Sequence, residues 1–169
     1  MTKRPKMLIA GGGYADIPLI LAAKKIGYYV ITSGNRPDEL GHNYSDEYQK
    51  ADFSDSDAML ELARSLKISA ICPCCNDFSA LSCAYVAEKL GLPGHDSFEV
   101  AKIIHHKDRY REFAMRNSIP TPRATGVGNI EDGLNAINLL RFPLIIKPVD
   151  LTGGKGVSTI HEKEQARRA

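Results

Sequence analysis

Over roughly the first ninety residues, short apolar runs alternate with helical stripes, and glycine or proline marks each change of period. Residues 7–10 form a four-residue apolar run that Gly11, Gly12 and Gly13 break. Ile17, Ile20 and Leu21 then recur at helical spacing until Gly27 stops them. Residues 29–32 are a second apolar run with β-branched members. Beyond a loop at 33–38 and a polar stretch with Tyr44 and Tyr48, a short strand is expected near 49–51. Asp55 or Ser56 can cap the next helix, whose stripe is Met59, Leu62, Ala63 and Leu66. Residues 68–72 are a buried strand ended by Pro73, and Ala80, Leu81, Ala84, Ala87 and Leu90 form a helical stripe closed by Gly91. Such alternation predicts an α/β fold, a Rossmann-like parallel sheet with right-handed crossovers.

The pattern changes near Ser97. Helices are expected at 97–104 and 107–117, followed by the extended joint Ile119-Pro120-Thr121-Pro122, where each proline biases its predecessor away from helix. A strand near 123–126 comes next. Ile130, Leu134, Ile137 and Leu140 mark one helix face. Residues 144–147 read as a buried strand, and 151–157 as a glycine-rich turn into a further short strand. Residues 162–169 read as the first turns of a helix. Two domains are therefore expected, 1–95 and 96–169.

Charge and composition narrow the class. The 169 residues carry a net charge of +2, so no field for non-specific nucleic-acid or membrane-surface binding is advertised. No apolar run approaches the roughly 20 residues of a membrane span, and the basic start is not followed by a signal h-region. A cytoplasmic protein is expected. Cys72, Cys74 and Cys75 crowd together with Cys83 not far on, but they lack zinc-site spacing and read as reduced thiols at the end of a core strand. His105 and His106, adjacent on a helix, face different ways and make poor joint metal ligands.

Several residues could carry chemistry. A dinucleotide fold wants Gly-x-Gly-x-x-Gly after its first strand and an acid at the tip of its second. Gly11 and Gly13 fit, but Asp16 stands at the third glycine position and Ser33 ends the second strand. An NAD(P)-binding protein is thus the disfavoured alternative. The glycine run still implies a sharp turn whose N–H groups face open space, or else a tight turn with no ligand. Asn76 and Asp77 follow a core strand, where open α/β sheets place ligands, yet both are also good helix caps. Lys147 ends an apolar strand, where its ammonium either meets an anion or reaches solvent. Gly153, Gly154, Lys155 and Gly156 offer backbone N–H groups and a second cation, or else a hairpin turn. The strict P-loop pattern is absent. Lys107 opens a helix, and a lysine there is ordinarily a surface residue.

Taken together, His-Lys-Asp, Ile-Pro-Thr-Pro, Phe-Pro-Leu-Ile-Ile-Lys-Pro and Thr-Gly-Gly-Lys-Gly-Val resemble, in order and spacing, the ATP-grasp superfamily of ligases. Carbamoyl-phosphate synthase, biotin carboxylase and the purine-pathway carboxylate–amine ligases are among its members. The stretch before them resembles the pre-ATP-grasp domain. The resemblance implies a pre-ATP-grasp domain at 1–95 and an incomplete ATP-grasp α+β subdomain at 96–169. It implies that Lys107 and Lys147 contact ATP phosphates, that Gly153, Gly154, Lys155 and Gly156 form the mobile loop over them, and that Gly11, Gly12, Gly13, Asn76 and Asp77 line a substrate pocket. It further implies ATP and Mg2+ as cofactors, a small-molecule carboxylate as substrate, and an acyl-phosphate intermediate. The family's magnesium ligands would fall past Ala169, so the chain alone is expected not to turn over ATP. The apolar faces of 130–140 and 144–147 would need cover, for which a homodimer is one route. A non-catalytic binding module is the remaining alternative.

Overall fold

A computed structural model describes residues 4–168. Its contacts divide the chain into two compact units, Met1–Ala101 and Lys102–Ala169.

The first unit is built on four parallel strands: β1 (Lys6–Ala10), β2 (Tyr29–Gly34), β3 (Glu47–Lys50) and β4 (Ala70–Pro73), in the order β3-β2-β1-β4. Leu8 of β1 lies level with Ile31 of β2 and Ile71 of β4. Side chains alternate across the sheet. Leu8, Ala10 and Ile31 pack on one face with Met59, Leu60 and Ala63 of α2 (Ser56–Leu66) and with Cys83, Val86 and Ala87 of α3 (Asp77–Leu90). Ile9 and Val30 pack on the other with Ile20 and Ala23 of α1 (Ile17–Lys25). Both faces are covered, which is why β1 is apolar at consecutive positions: Leu8, Ile9 and Ala10 are all fully buried. Burying each large side chain contributes about 1.5–3 kcal/mol.

The boundaries have local causes. Of the two cap candidates for α2, Asp55 is the one used: its side chain accepts from the N–H of Asp57 and of Ala58. α3 begins at Asn76, whose side chain accepts from Phe78 N–H, and ends on Gly91 in the left-handed region. The polar stretch holds a 3-10 turn at Leu40–Tyr44 that no apolar period announced.

The second unit departs further from expectation. α4 (Phe98–His105) leads into it, and α5 (Lys107–Arg116) lies wholly within it. No strand forms at 123–126; Pro120 and Pro122 just upstream lack the N–H that a ladder needs. The apolar stripe from Ile130 is not one helix face. α6 stops at Ala136 (Ile130–Ala136) and a 3-10 turn, Ile137–Leu139, follows. Of the stripe, Ile137 is buried and Leu134 and Leu140 are half-buried, whereas Ile130 at its start is 72% exposed. β5 (Leu144–Ile146) is not buried either. It pairs antiparallel with β6 (Ser158–Ile160) in a two-stranded ribbon that leaves Ile145 66% exposed. The final residues form a 3-10 turn, Lys163–Arg167, rather than α-helix, and Ala169 lies outside the described residues. Among the described residues no helix is long and apolar enough to cross a membrane.

Asp46 ties the edge of the first sheet together. Its carboxylate accepts from Val30 N–H at 2.8 Å and pairs with Arg4 at 2.9 Å and Lys24 at 3.2 Å. Burial alone would raise its pKa, but the Val30 N–H and the two cations outweigh that and hold it below the usual range. A depressed carboxyl contributes stability that is complete above the unfolded aspartate's value, about 4, and is lost as pH falls through the lower folded one. Denaturant titrations across pH should therefore show Asp46→Asn less stable than the parent near neutrality. The gap should close as pH falls below about 4. A gap independent of pH would contradict this role.

Candidate functional site

The carboxyl ends of β1, β2 and β4 bring three loops together in the first unit. The glycine turn after β1 is packed from two sides. A Cβ on Gly11, whose φ is +144°, would lie 1.9 Å from Cys74 Sγ, and one on Gly12 would lie 2.1 Å from the ring of His42. Gly41 N–H donates to Gly12 O at 2.7 Å, and a Cβ on Gly41 would meet that same carbonyl at 2.5 Å. These glycines are needed because backbone and side chains approach where a Cβ would stand.

The turn's N–H groups do not all face open space, contrary to the sequence expectation. Gly11 N–H donates to Ile9 O, and Gly13 N–H donates to Asp16 Oδ2 at 2.7 Å. The other oxygen of Asp16 accepts Cys75 N–H at 3.0 Å, so one buried carboxylate, 5% exposed, joins the loop after β1 to the loop after β4. His42, also buried, joins the loop after β2. Its Nε2 lies 3.1 Å from Arg36 O, which can only accept, so Nε2 carries a proton; Nδ1 lies 2.9 Å from the Thr32 hydroxyl. Neither Asp16 nor His42 was singled out as a site residue by the sequence. Asp16 stood there only as a missing glycine, and His42 carried no signal at all.

Asn76 and Asp77 sit at the rim of the same loops. Asn76 Oδ1 is the α3 cap, 2.9 Å from Phe78 N, and Asp77 is the exposed first residue of that helix. The cap reading of Asn76 is thus realised, while the Asp77 carboxylate is open to solvent. All four cysteines are free. Burial first, and the neighbouring Asp16 charge second, push the Cys74 thiol far above its ordinary range. Burial likewise raises Cys72 and Cys83, whereas Cys75 is exposed.

In the second unit, α5 starts at Lys107 beneath the segment that follows β5. Lys107 N–H donates to Val149 O at 3.2 Å, and the Lys107 ammonium donates both to Val149 O at 3.2 Å and to Leu151 O. Lys147 stands just past β5 and is exposed. Lys155, exposed, closes a turn through its N–H to Thr152 O at 3.4 Å. Gly153 and Gly154 have φ of +65° and +74° with open space where a Cβ would stand, while a Cβ on Gly156 would lie 2.8 Å from Pro148. The fold therefore brings Lys107 to the stem of the glycine loop and Lys147 to its entry. Next to Lys107, Asp108 packs against Gly126 with one carboxylate oxygen buried and unpartnered. Among the described residues no group of three or more His, Cys, Asp or Glu side chains could hold a metal ion.

No family model matches the chain. It is 26% identical over 173 residues to a formate-dependent phosphoribosylglycinamide formyltransferase of Prochlorococcus marinus, covering 100% of this chain and 44% of that protein. It is 24% identical to the carbamoyl phosphate synthase large chain of Pseudothermotoga lettingae, covering 96% of this chain and 16% of that one. Among solved structures, a phosphoribosylglycinamide synthetase from Anaerococcus prevotii aligns with TM-score 0.72 and 27% identity, over 98% of this chain and 41% of that one. An N5-carboxyaminoimidazole synthetase from Staphylococcus aureus complexed with ADP aligns with TM-score 0.80, over 97% and 43%; at 21% identity it speaks for the fold alone. The chain thus spans less than half the length of the relatives it matches, corresponding to their N-terminal part.

Two outcomes follow from the site geometry. In the native protein an aromatic disulfide reagent should modify one thiol, Cys75, quickly at neutral pH, and all four only after denaturation, because thiolates and not thiols react. Rapid modification of Cys74 or Cys83 would contradict the burial described. Replacing Lys107 by methionine should also raise amide exchange over 149–156 several-fold while leaving the β1–β4 sheet protected. Unchanged exchange in that loop would mean that the ammonium does not hold its stem.

Proposed function

We propose, from the premise that this chain belongs to the ATP-grasp superfamily and matches the N-terminal part of its ligases, that it is the pre-ATP-grasp domain and the beginning of the ATP-binding domain of a carboxylate–amine ligase. The domains are 1–95 and 96–169, close to the division after Ala101. The observation that carries the reading is the placement of the Lys107 ammonium on the carbonyls at the stem of a loop whose Gly153 and Gly154 have positive φ.

In the ligase reaction a carboxylate oxygen attacks the γ-phosphorus of ATP and ADP leaves. An amine then attacks the acyl carbon of the resulting acyl phosphate and expels inorganic phosphate. Lys107 and Lys147 are suited to offset charge on the phosphoryl oxygens, and fixed cations serve there without the reorganisation that water would need. Gly153, Gly154 and Gly156 give the loop the backbone freedom to fold over phosphates, and Lys155 adds a third cation. Magnesium, when bound, would neutralise phosphate charge, and the protein's part is to hold the nucleotide and align the reacting groups. Gly11, Gly12, Gly13, Asn76 and Asp77 are assigned to the small-molecule substrate, and a cytoplasmic location suits such metabolites.

The test is nucleotide binding by calorimetry with MgATP, on the parent and on the single variants Lys107→Met and Lys147→Met. Each loss should weaken binding roughly tenfold, the scale of one charge-assisted hydrogen bond. ATP affinity identical in the parent and in both variants would sink the reading.

A further inference from the structure

We infer that Asp16 is a specificity-determining residue of the glycine turn: its buried carboxylate takes the place an incoming anion would occupy, so the ligand group seated at the turn is uncharged or cationic and not a phosphate or carboxylate. The inference rests on the proposal that the turn at 11–13 faces the small-molecule substrate, and it adds the chemical class of the group received there.

The argument starts from what an anion needs at the end of a parallel sheet. Folds that seat a phosphate after β1 offer N–H groups from the glycine turn at the start of the following helix, with glycine at the second motif position so that the backbone can approach the ligand and at the third so that the helix packs close on the strand, with no side chain there to compete for the donors. Here Asp16 fills that third position and immediately precedes α1. Its Oδ2 accepts Gly13 N–H at 2.7 Å and its Oδ1 accepts Cys75 N–H at 3.0 Å. The first bond alone would be ordinary capping of the short 3-10 turn Tyr14–Asp16. The second is not local: Cys75 is 59 positions away, beside the start of α3. With Asp16 only 5% exposed, one internal carboxylate consumes donors from the two loops that an external anion would bridge.

Removing those donors is half of the effect, and charge is the other half. A ligand anion at the turn would face a buried like charge whose field water screens poorly. The nearby Asn35–Asp38 loop does not reverse this, since Arg36 lies 3.8 Å from Asp38 and both are largely exposed. Burial first, and this same carboxylate second, raise the Cys74 thiol beside it. Room remains at the rim for a neutral or cationic group: Tyr14 is 79% exposed, and Asp77 and Cys75 are open.

The experiment is amide NMR on the whole chain, titrated with inorganic phosphate and, separately, with MgATP. In the parent protein, millimolar phosphate should leave the Gly13 and Cys75 amides unmoved. In Asp16→Gly, which restores Gly-x-Gly-x-x-Gly and frees both donors, phosphate should shift Gly13 and Cys75 in a saturable way. Saturable phosphate shifts at Gly13 and Cys75 in the parent overturn the inference, and so does a folded Asp16→Gly variant that shows none. If that variant does not fold, the parent titration decides alone. The MgATP arm is read at Lys107, Lys147 and Gly153 to Gly156, so failure of the nucleotide reading registers there and failure of this one at Gly13 and Cys75.

Discussion

Strand β1 is paired on both edges and covered on both faces, so every bond and side chain along Leu8, Ile9 and Ala10 is spoken for by the protein itself. The strand cannot shift by one residue, because a period of two would exchange Leu8 and Ala10 for Ile9 between the two packed layers. That fixed register decides where the strand stops. It delivers Gly11 beside Cys74 and Ser33, and so sets three loops side by side at the carboxyl edge.

Close approach at that edge creates a polar problem that Asp16 and His42 solve. Backbone groups brought together away from water must find partners. Asp16 satisfies Gly13 and Cys75 N–H, and His42 spans Thr32 and Arg36 with its ring against Gly12. The rim is thus braced from within, which suits a site that must hold its shape on arrival of a ligand. The bracing also spends the donors that a glycine turn otherwise offers, and this is why its resemblance to a phosphate-binding turn is only partial.

The second unit follows a different physical rule. Its β5–β6 ribbon has two strands, its large apolar residues include exposed Ile130, Leu139 and Ile145, and near the glycine loop the Lys107 ammonium meets Val149 O. Two strands alone bury little, so local stability there is low compared with the four-stranded sheet. Under the proposed function such a region suits the segment that folds over a nucleotide, and the rigid sheet suits the substrate rim.

Sequence alone was enough for the α/β class, the order of the elements from β1 to α5 and the glycine stop at Gly91, and it narrowed the caps to Asp55 or Ser56 and to Asn76 or Asp77, between which the structure chose Asp55 and Asn76. Those features rest on residues near in sequence, whose periodicity and dihedral preferences act locally. It also pointed to Lys107, Lys147 and the glycine loop, whose order and spacing carried the family resemblance. It overstated the strand at 123–126, where the upstream prolines lack ladder N–H groups, and it ran the helix at 130–140 past Ala136, where a 3-10 turn takes over. Only the tertiary structure decided that Asp16 reaches Cys75, that His42 lies on Gly12, and that the Lys107 ammonium rests on Val149 and Leu151. Each of these joins residues about 30 or more positions apart. Their meeting depends on strand register and loop closure, which no local pattern of side chains encodes.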